Sequence, residues 1–245
     1  MLKTVNYILV ILLLFLSIGK VEKRIFLIGD STVASYPEED KPMKGWGQLL
    51  GDHFNDTVKI LNFAKSGESS KSFRDSGLWD EVIDRLEKGD YLFIQFGHND
   101  QKKLFPDRYT HPFTSYKTNL IAFAREAKQK GAFPIIVTPV CRRKFNNGRI
   151  IHTLGDYPSA AREAAKEENI PIIDLNERSY LLLNKLGREK SKELFLHLKP
   201  GKYEAYPEGR EDDTHFSEFG ARKMAKLIVE EIKENDLDIG SYLKP

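Results

Sequence analysis

Ser31 follows Gly29-Asp30 directly, and a serine hydroxyl in such a place is a candidate nucleophile. A hydroxyl alone attacks poorly. It needs a base to take its proton, a group to orient that base, and N–H donors where charge develops on the attacked carbonyl. The chain carries each type. Asp212 and His215 stand three residues apart, a spacing at which side chains in a helical turn or compact loop face the same way. A carboxylate so placed accepts one ring N–H of His215 and leaves the other nitrogen free to take the Ser31 proton. Asn99, in Gly97-His98-Asn99-Asp100, supplies side-chain N–H groups. Gly67 brings a backbone N–H close because no side chain stands in the way. The N–H of Ser31 is a third donor, at the positive end of the helix expected to follow it. Each residue also has a plainer use: a charged loop for Asp212 and His215, an Asx turn for Asn99, a loop glycine for Gly67.

The elements that must position these residues are legible. Apolar, β-branched or aromatic runs over 24–28, 58–64, 91–96, 133–138 and 170–174 predict five strands. Between them, helical periodicity covers 113–130, which ends at Gly131, and also 156–169, 176–190 and 217–235. Strands alternating with helices predict an α/β fold with a parallel sheet covered on both faces. Such sheets bind ligands at the carboxyl ends of their strands. Ser31 follows the first strand, Gly67 the second and Asn99 the third. That repeated placement says more than any single motif. Three polar stretches, 101–112, 140–154 and 194–214, read as long loops of the kind that carry function.

Composition narrows the classes. The 245 residues suit one α/β domain, and a net charge of +2, from 38 basic and 36 acidic residues, asks for neither nucleic acid nor an anionic membrane. Residues 1–19 differ from the rest. Lys3 is followed by an apolar run over 7–18 and by the small residues Ser17 and Gly19. The run is short for a membrane span, which needs ~20 apolar residues. It reads as a cleaved secretory signal peptide, with an uncleaved anchor as its rival, and leaves 20–245 as the mature domain. Secretion or periplasmic export is expected, with no stable membrane association after cleavage. Cys141 is the sole cysteine, which excludes an intramolecular disulfide, and it is expected to be buried. The chain lacks a His-Glu-x-x-His run, a cysteine cluster, a Gly-x-Ser-x-Gly elbow and a phosphate loop. No metal or cofactor is expected.

The motifs together resemble the four blocks of the SGNH (GDSL) hydrolase superfamily, and more closely its rhamnogalacturonan acetylesterase family. The residues that carry the likeness are Gly29-Asp30-Ser31-Thr32-Val33, Gly45-Trp46-Gly47-Gln48, the run from Asn62 to Phe73, Gln95-Phe96-Gly97-His98-Asn99-Asp100 and Asp213-Thr214-His215-Phe216-Ser217. The likeness spans 24–231. It implies a flavodoxin-like, three-layer α/β/α sandwich on a five-stranded parallel sheet, and a serine esterase. It makes Ser31 the nucleophile, His215 the base and Asp212 its orienting acid; Asp213 is the nearest competitor, and the motif's spacing favours Asp212. The Ser31 N–H, Gly67 N–H and Asn99 side chain form the oxyanion hole. Glu68 stands where some relatives have Arg. The implied substrate is an acetylated polysaccharide, pectic rhamnogalacturonan first. Acetylated xylan, a general short-chain ester or lipid, and a non-catalytic carbohydrate-binding role are the rivals; the polar loops speak against a lipase.

Other residues have two uses. Trp46 either packs in the core or lines a sugar-binding cleft. His98 is expected to hold its loop by a hydrogen bond rather than act on substrate. Arg142, Arg143 and Lys144 form either a solvated face or a set of contacts to galacturonate carboxylates. His152 lies in the loop expected to rim the cleft and is a candidate substrate contact. His53, His111 and His197 have no partner evident in the sequence.

Overall fold

The structure, a computed structural model, describes residues 22–245; the signal peptide expected over 1–19 lies outside the described residues. Among the described residues, nine strands and seven α-helices follow in chain order: β1 (Lys23–Gly29), α1 (Trp46–Leu49), β2 (Val58–Asn62), α2 (Ser72–Asp75), α3 (Leu78–Arg85), β3 (Tyr91–Gln95), α4 (Lys117–Gln129), β4 (Phe133–Val137), β5 (Phe145–Asn146), β6 (Arg149–Ile150), α5 (Tyr157–Glu168), β7 (Ile172–Ile173), α6 (Leu175–Lys190), β8 (Phe195–Leu198), β9 (Arg210–Phe216) and α7 (Glu218–Glu234). The main sheet has the order β2-β1-β3-β4-β7, with every pair parallel. This is the flavodoxin-like winding order, whose direction of growth reverses between β1 and β3.

Strand periodicity explains the layers. Alternate residues point to opposite faces. Ile25 and Leu27 of β1, with Tyr91 and Phe93 of β3, pack with Trp46 of α1, Leu175 and Leu183 of α6 and the apolar stripe of α7. Phe26 and Ile28, with Leu92 and Ile94, pack on the other face with Trp79 of α3, Phe123 of α4 and Ala160 of α5. Both faces are covered, so these strands are apolar throughout rather than alternating. The result is the three-layer sandwich. No helix among the described residues is long and apolar enough to cross a membrane.

The structure departs from the sequence reading in three places. The stretch over 194–214 is not simply a loop: β8 and β9 pair antiparallel within it. The stretch over 140–154 holds the hairpin β5–β6, turned at Asn147-Gly148, where φ is 47° and 77°. No helix follows Ser31. Val33 N and Ala34 N both donate to Asp30 O, which closes a single turn. The expected support from a helix dipole at the Ser31 N–H is therefore absent, since one turn sums few peptide dipoles.

Candidate active site

The site is built on the ends of β1, β2 and β3. β1 delivers Ser31, with its main-chain carbonyl held by the Tyr36 hydroxyl at 2.8 Å. Burial of that phenol pushes its pKa up to about 12, so it stays a donor. The pairing of β1 with its neighbour continues past β2, as Lys65 N donates to Gly29 O at 3.1 Å. This brings Gly67 beside the Ser31 turn. Gly67 has φ of +88°, which favours glycine. The Asn99 amide donates to Glu68 O at 2.8 Å, which latches the end of β3 to the residue after Gly67. One N–H of that amide is thereby used, and the second remains to serve a ligand. Glu68 itself is turned away, its carboxylate accepting from the Ser72 hydroxyl at 2.5 Å.

His215 Nε2 lies 3.0 Å from Ser31 Oγ, and His215 Nδ1 lies 2.8 Å from Asp212 Oδ2. Asp212 and His215 are on β9, not in a helical turn or loop. On a regular strand, residues three apart face opposite ways. Here the register slips: Phe195 pairs with Phe216, while Leu196 pairs with Asp212. The extra residues bulge, and Asp212 Oδ1 holds them by accepting from Thr214 N at 2.8 Å and His215 N at 2.9 Å. Burial raises the Asp212 carboxyl's pKa, but the His215 and Thr214 donors outweigh it and hold the carboxyl well below the usual range. Arg210, two residues earlier on the strand, also donates to Asp212 Oδ2, at 2.6 Å. Behind the bulge, Ser217 Oγ caps α7 by accepting from Gly220 N at 3.1 Å. A Cβ on Gly220 would meet Leu194 O at 1.8 Å, so only glycine lets α7 seat this close.

Asp213 points elsewhere. Its Oδ1 accepts from Arg143 Nη1 at 2.7 Å and lies 2.7 Å from His197 Nε2. Arg143 is buried and bound as well to Ser191 Oγ at 3.0 Å. It is therefore committed to the fold and does not face a ligand, contrary to one reading of the 142–144 run.

Beneath Ser31 runs a buried polar chain. Trp46 Nε1 donates to Gln95 Oε1 at 2.9 Å, Gln95 Nε2 to Thr32 Oγ1 at 2.6 Å, and Thr32 Oγ1 to Asp30 Oδ1 at 2.8 Å. Trp46 has no exposed surface, so it cannot offer a face to a sugar; its use is packing and a hydrogen bond. From the other side His98 Nδ1 lies 3.0 Å from Asp30 Oδ2, and His98 Nε2 lies 3.0 Å from Val140 O. Burial raises the Asp30 pKa, but His98 and Thr32 outweigh it and lower it overall. Asp100, next to Asn99, accepts from the Ser70 hydroxyl at 2.5 Å and the Thr110 hydroxyl at 2.9 Å. Burial without a cation pushes its carboxyl up to about 6.

The remaining candidates divide. Arg142 reaches the site, with Nη2 3.3 Å from His98 O. His152 stacks on Tyr180, ring centroids 4.6 Å apart, and makes none of the site's hydrogen bonds. Cys141 is buried. Among the described residues no cluster of three or more His, Cys, Asp or Glu is placed to hold a metal. Sequence reasoning missed Arg108, whose Nη1 lies 3.6 Å from where a Cβ on Gly67 would stand. It gave no role to Arg210, quoted Gln95 only as part of a motif, and left His197 without the partner that Asp213 provides. Arg210-x-Asp212 has strand spacing and could have been found; nothing in the loop over 101–112 announces that Arg108 folds back onto Gly67.

The family described as GDSL-like lipase/acylhydrolase matches residues 25–228. The chain is 46% identical over 221 residues to the rhamnogalacturonan acetylesterase RhgT of Bacillus subtilis (strain 168), covering 90% of this chain and 94% of the relative. It is 40% identical over 215 residues to the probable rhamnogalacturonan acetylesterase YesY of the same organism, covering 88% and 94%. The crystal structure of protein YxiM from Bacillus subtilis is similar at a TM-score of 0.76 and 26% identity, over 89% of this chain and 58% of that one. The chain therefore belongs to the GDSL-like lipase/acylhydrolase family, in its rhamnogalacturonan acetylesterase group, and is a carboxylic ester hydrolase.

Proposed function

We propose that this chain is a secreted serine esterase that removes O-acetyl groups from pectic rhamnogalacturonan through an acetyl-enzyme on Ser31. The observation that carries the chemistry is the hydrogen-bonded run Ser31–His215–Asp212 beside Asn99 and Gly67. In this mechanism His215 Nε2 takes the Ser31 proton as Oγ attacks the acetyl carbonyl. The Asp212 carboxylate fixes the ring tautomer and balances the imidazolium that forms. The tetrahedral oxyanion is met by the Ser31 N–H, the Gly67 N–H and the free N–H of Asn99. Collapse expels the sugar hydroxyl with the proton from His215. Water, deprotonated by the same imidazole, then attacks the acetyl-enzyme and releases acetate.

The similarity to RhgT and YesY supports the pectic substrate. Export rests on the apolar segment over 7–18. The test is acetate release from acetylated rhamnogalacturonan, acetylated xylan and p-nitrophenyl acetate by the purified protein. The expected order of kcat/KM places rhamnogalacturonan above xylan. Equal or higher turnover on xylan would overturn the substrate, and no hydrolysis of any ester would leave a carbohydrate-binding role.

A further inference from the structure

Three cations gather on the oxyanion side of the site. Arg108 stands over Gly67. Lys102 belongs to the turn that begins at Asn99, its N donating to Asn99 O at 3.1 Å. Arg142 donates from Nη2 to His98 O and from Nη1 to Thr153 Oγ1, and the Gln101 amide orientation that satisfies its hydrogen bonds turns its oxygen onto both Arg142 Nη atoms. The loop that carries Lys102 and Arg108 is fixed rather than loose. Lys71 Nζ donates to Pro106 O at 2.7 Å, and Thr110 N donates to Asp100 O at 3.0 Å.

These charges lack adequate counter-ions. Among the described residues neither Lys102 nor Arg142 forms an ion pair, and Arg108 has only the exposed Asp107, at 3.4 Å. The nearby acids are committed elsewhere: Glu68 to Ser72, Asp30 to His98 and Thr32, Asp212 to His215 and Arg210. The proximity is felt. Burial, then the charges of Arg108 and Arg142, hold the Lys102 ammonium below its ordinary pKa. Like charges held together with no partner cost stability, and such arrangements mark sites whose partner arrives with the ligand.

We propose that Lys102, Arg108 and Arg142 form a carboxylate-binding subsite that seats a uronate carboxylate of the acetylated chain as its ester carbonyl enters the oxyanion hole; this rests on the ester-hydrolase reading of the same site. A uronate ring bears its carboxylate and its esterifiable hydroxyls together, so one residue, or two adjacent ones, can meet both. The Arg108 guanidinium suits the planar carboxylate, Lys102 adds a flexible point charge, and Arg142, its Nη hydrogens held by Gln101, His98 and Thr153, adds positive charge behind them. A neutral acetylated xylan would leave the cluster unsatisfied. The subsite selects acidic glycans by charge, separately from the esterase chemistry.

The experiment compares acetylated galacturonate-containing oligosaccharides with free carboxylates, the same oligosaccharides methyl-esterified, and p-nitrophenyl acetate. The wild-type protein is expected to prefer the free-carboxylate form by ~10-fold or more in kcat/KM. Arg108→Gln and Lys102→Gln are each expected to cut that preference by about 10-fold, mainly through KM, and added salt is expected to erode it. Both positions are in a surface loop, so circular dichroism and thermal unfolding identify a folding defect independently. Equal wild-type turnover of the free and methylated forms would overturn the subsite while leaving the esterase reading intact. An equal loss on p-nitrophenyl acetate in both variants would also overturn it, because the cations would then act on the oxyanion. Hydrolysis of p-nitrophenyl acetate with no acetate from either oligosaccharide would instead sink the pectic reading and the subsite together.

Discussion

His98 Nδ1 lies 3.0 Å from Asp30 Oδ2 while His98 Nε2 faces the Val140 carbonyl at 3.0 Å. A carbonyl only accepts, so Nε2 carries a hydrogen. Nδ1 faces the Asp30 carboxylate, which the fold holds below its usual pKa, and the contact ties the residue before Ser31 to the residue before Asn99. Removing one partner of such a pair strands a buried charge. His98→Gln is expected to cost about 3–5 kcal/mol in urea unfolding. The Asp30 pKa is lowered in the fold, so its stabilisation is present above the ordinary carboxylate range and lost as pH falls. In His98→Gln the acid-unfolding midpoint is therefore expected to move to higher pH. An unmoved midpoint would show that His98 does not hold Asp30 ionised.

Asp212 and Asp213 are neighbours with opposite consequences. Asp212→Asn removes the acceptor for His215 Nδ1–H and permits the wrong tautomer, so kcat on p-nitrophenyl acetate is expected to drop by about 10⁴ with the fold intact. Asp213→Asn weakens the support of buried Arg143. It is expected to cost roughly 1–3 kcal/mol of stability and to lower kcat far less. The two rankings, kinetic and thermodynamic, should be reversed between the variants.

Asn99→Ala removes one proposed oxyanion donor and also the latch to Glu68 O. The expected loss in kcat is ~10²–10³, with KM little changed. A loss confined to KM would place Asn99 in ground-state binding instead.

Asp100 should leave a signature in the pH dependence of stability. Its carboxyl is pushed up to about 6 in the fold against an unfolded value near ~3.9. The native state thus binds this proton more tightly than the unfolded chain. The associated stability is fully present below pH ~4 and is lost as pH rises through the folded value, by roughly 2–3 kcal/mol in all. Asp100→Asn keeps an acceptor for Ser70 and Thr110 but cannot ionise. Denaturant midpoints measured from pH 4 to 8 are expected to lose that downward slope in the variant.

The parallel sheet was legible because its strands are apolar on both faces and bounded by turn residues, so period and length agreed. Ser31, Gly67 and Asn99 were legible because each follows such a run. The β8–β9 ribbon was not. His197-Leu198 and Arg210-Glu211-Asp212 carry mostly polar side chains, and the bulge that turns Asp212 toward His215 breaks the alternation by which strands are read. Trp46 was ambiguous because an indole serves a core and a sugar cleft equally; Gln95, distant in sequence, decides it by accepting the indole N–H. Arg108 was illegible for a related reason. Its place over Gly67 is set by the fold of its own loop and by Lys71 holding Pro106, neither of which is periodic.

The central claim is that Ser31 carries the acetyl group. Rapid acid quench of the protein turning over p-nitrophenyl acetate, followed by peptide mass spectrometry, tests it directly. The expected result is one acetyl group on the peptide containing Ser31, absent from Ser31→Ala, whose turnover should fall to the background of uncatalysed hydrolysis. Wild-type turnover by Ser31→Ala, or an acetyl group trapped on any other residue, would contradict the account.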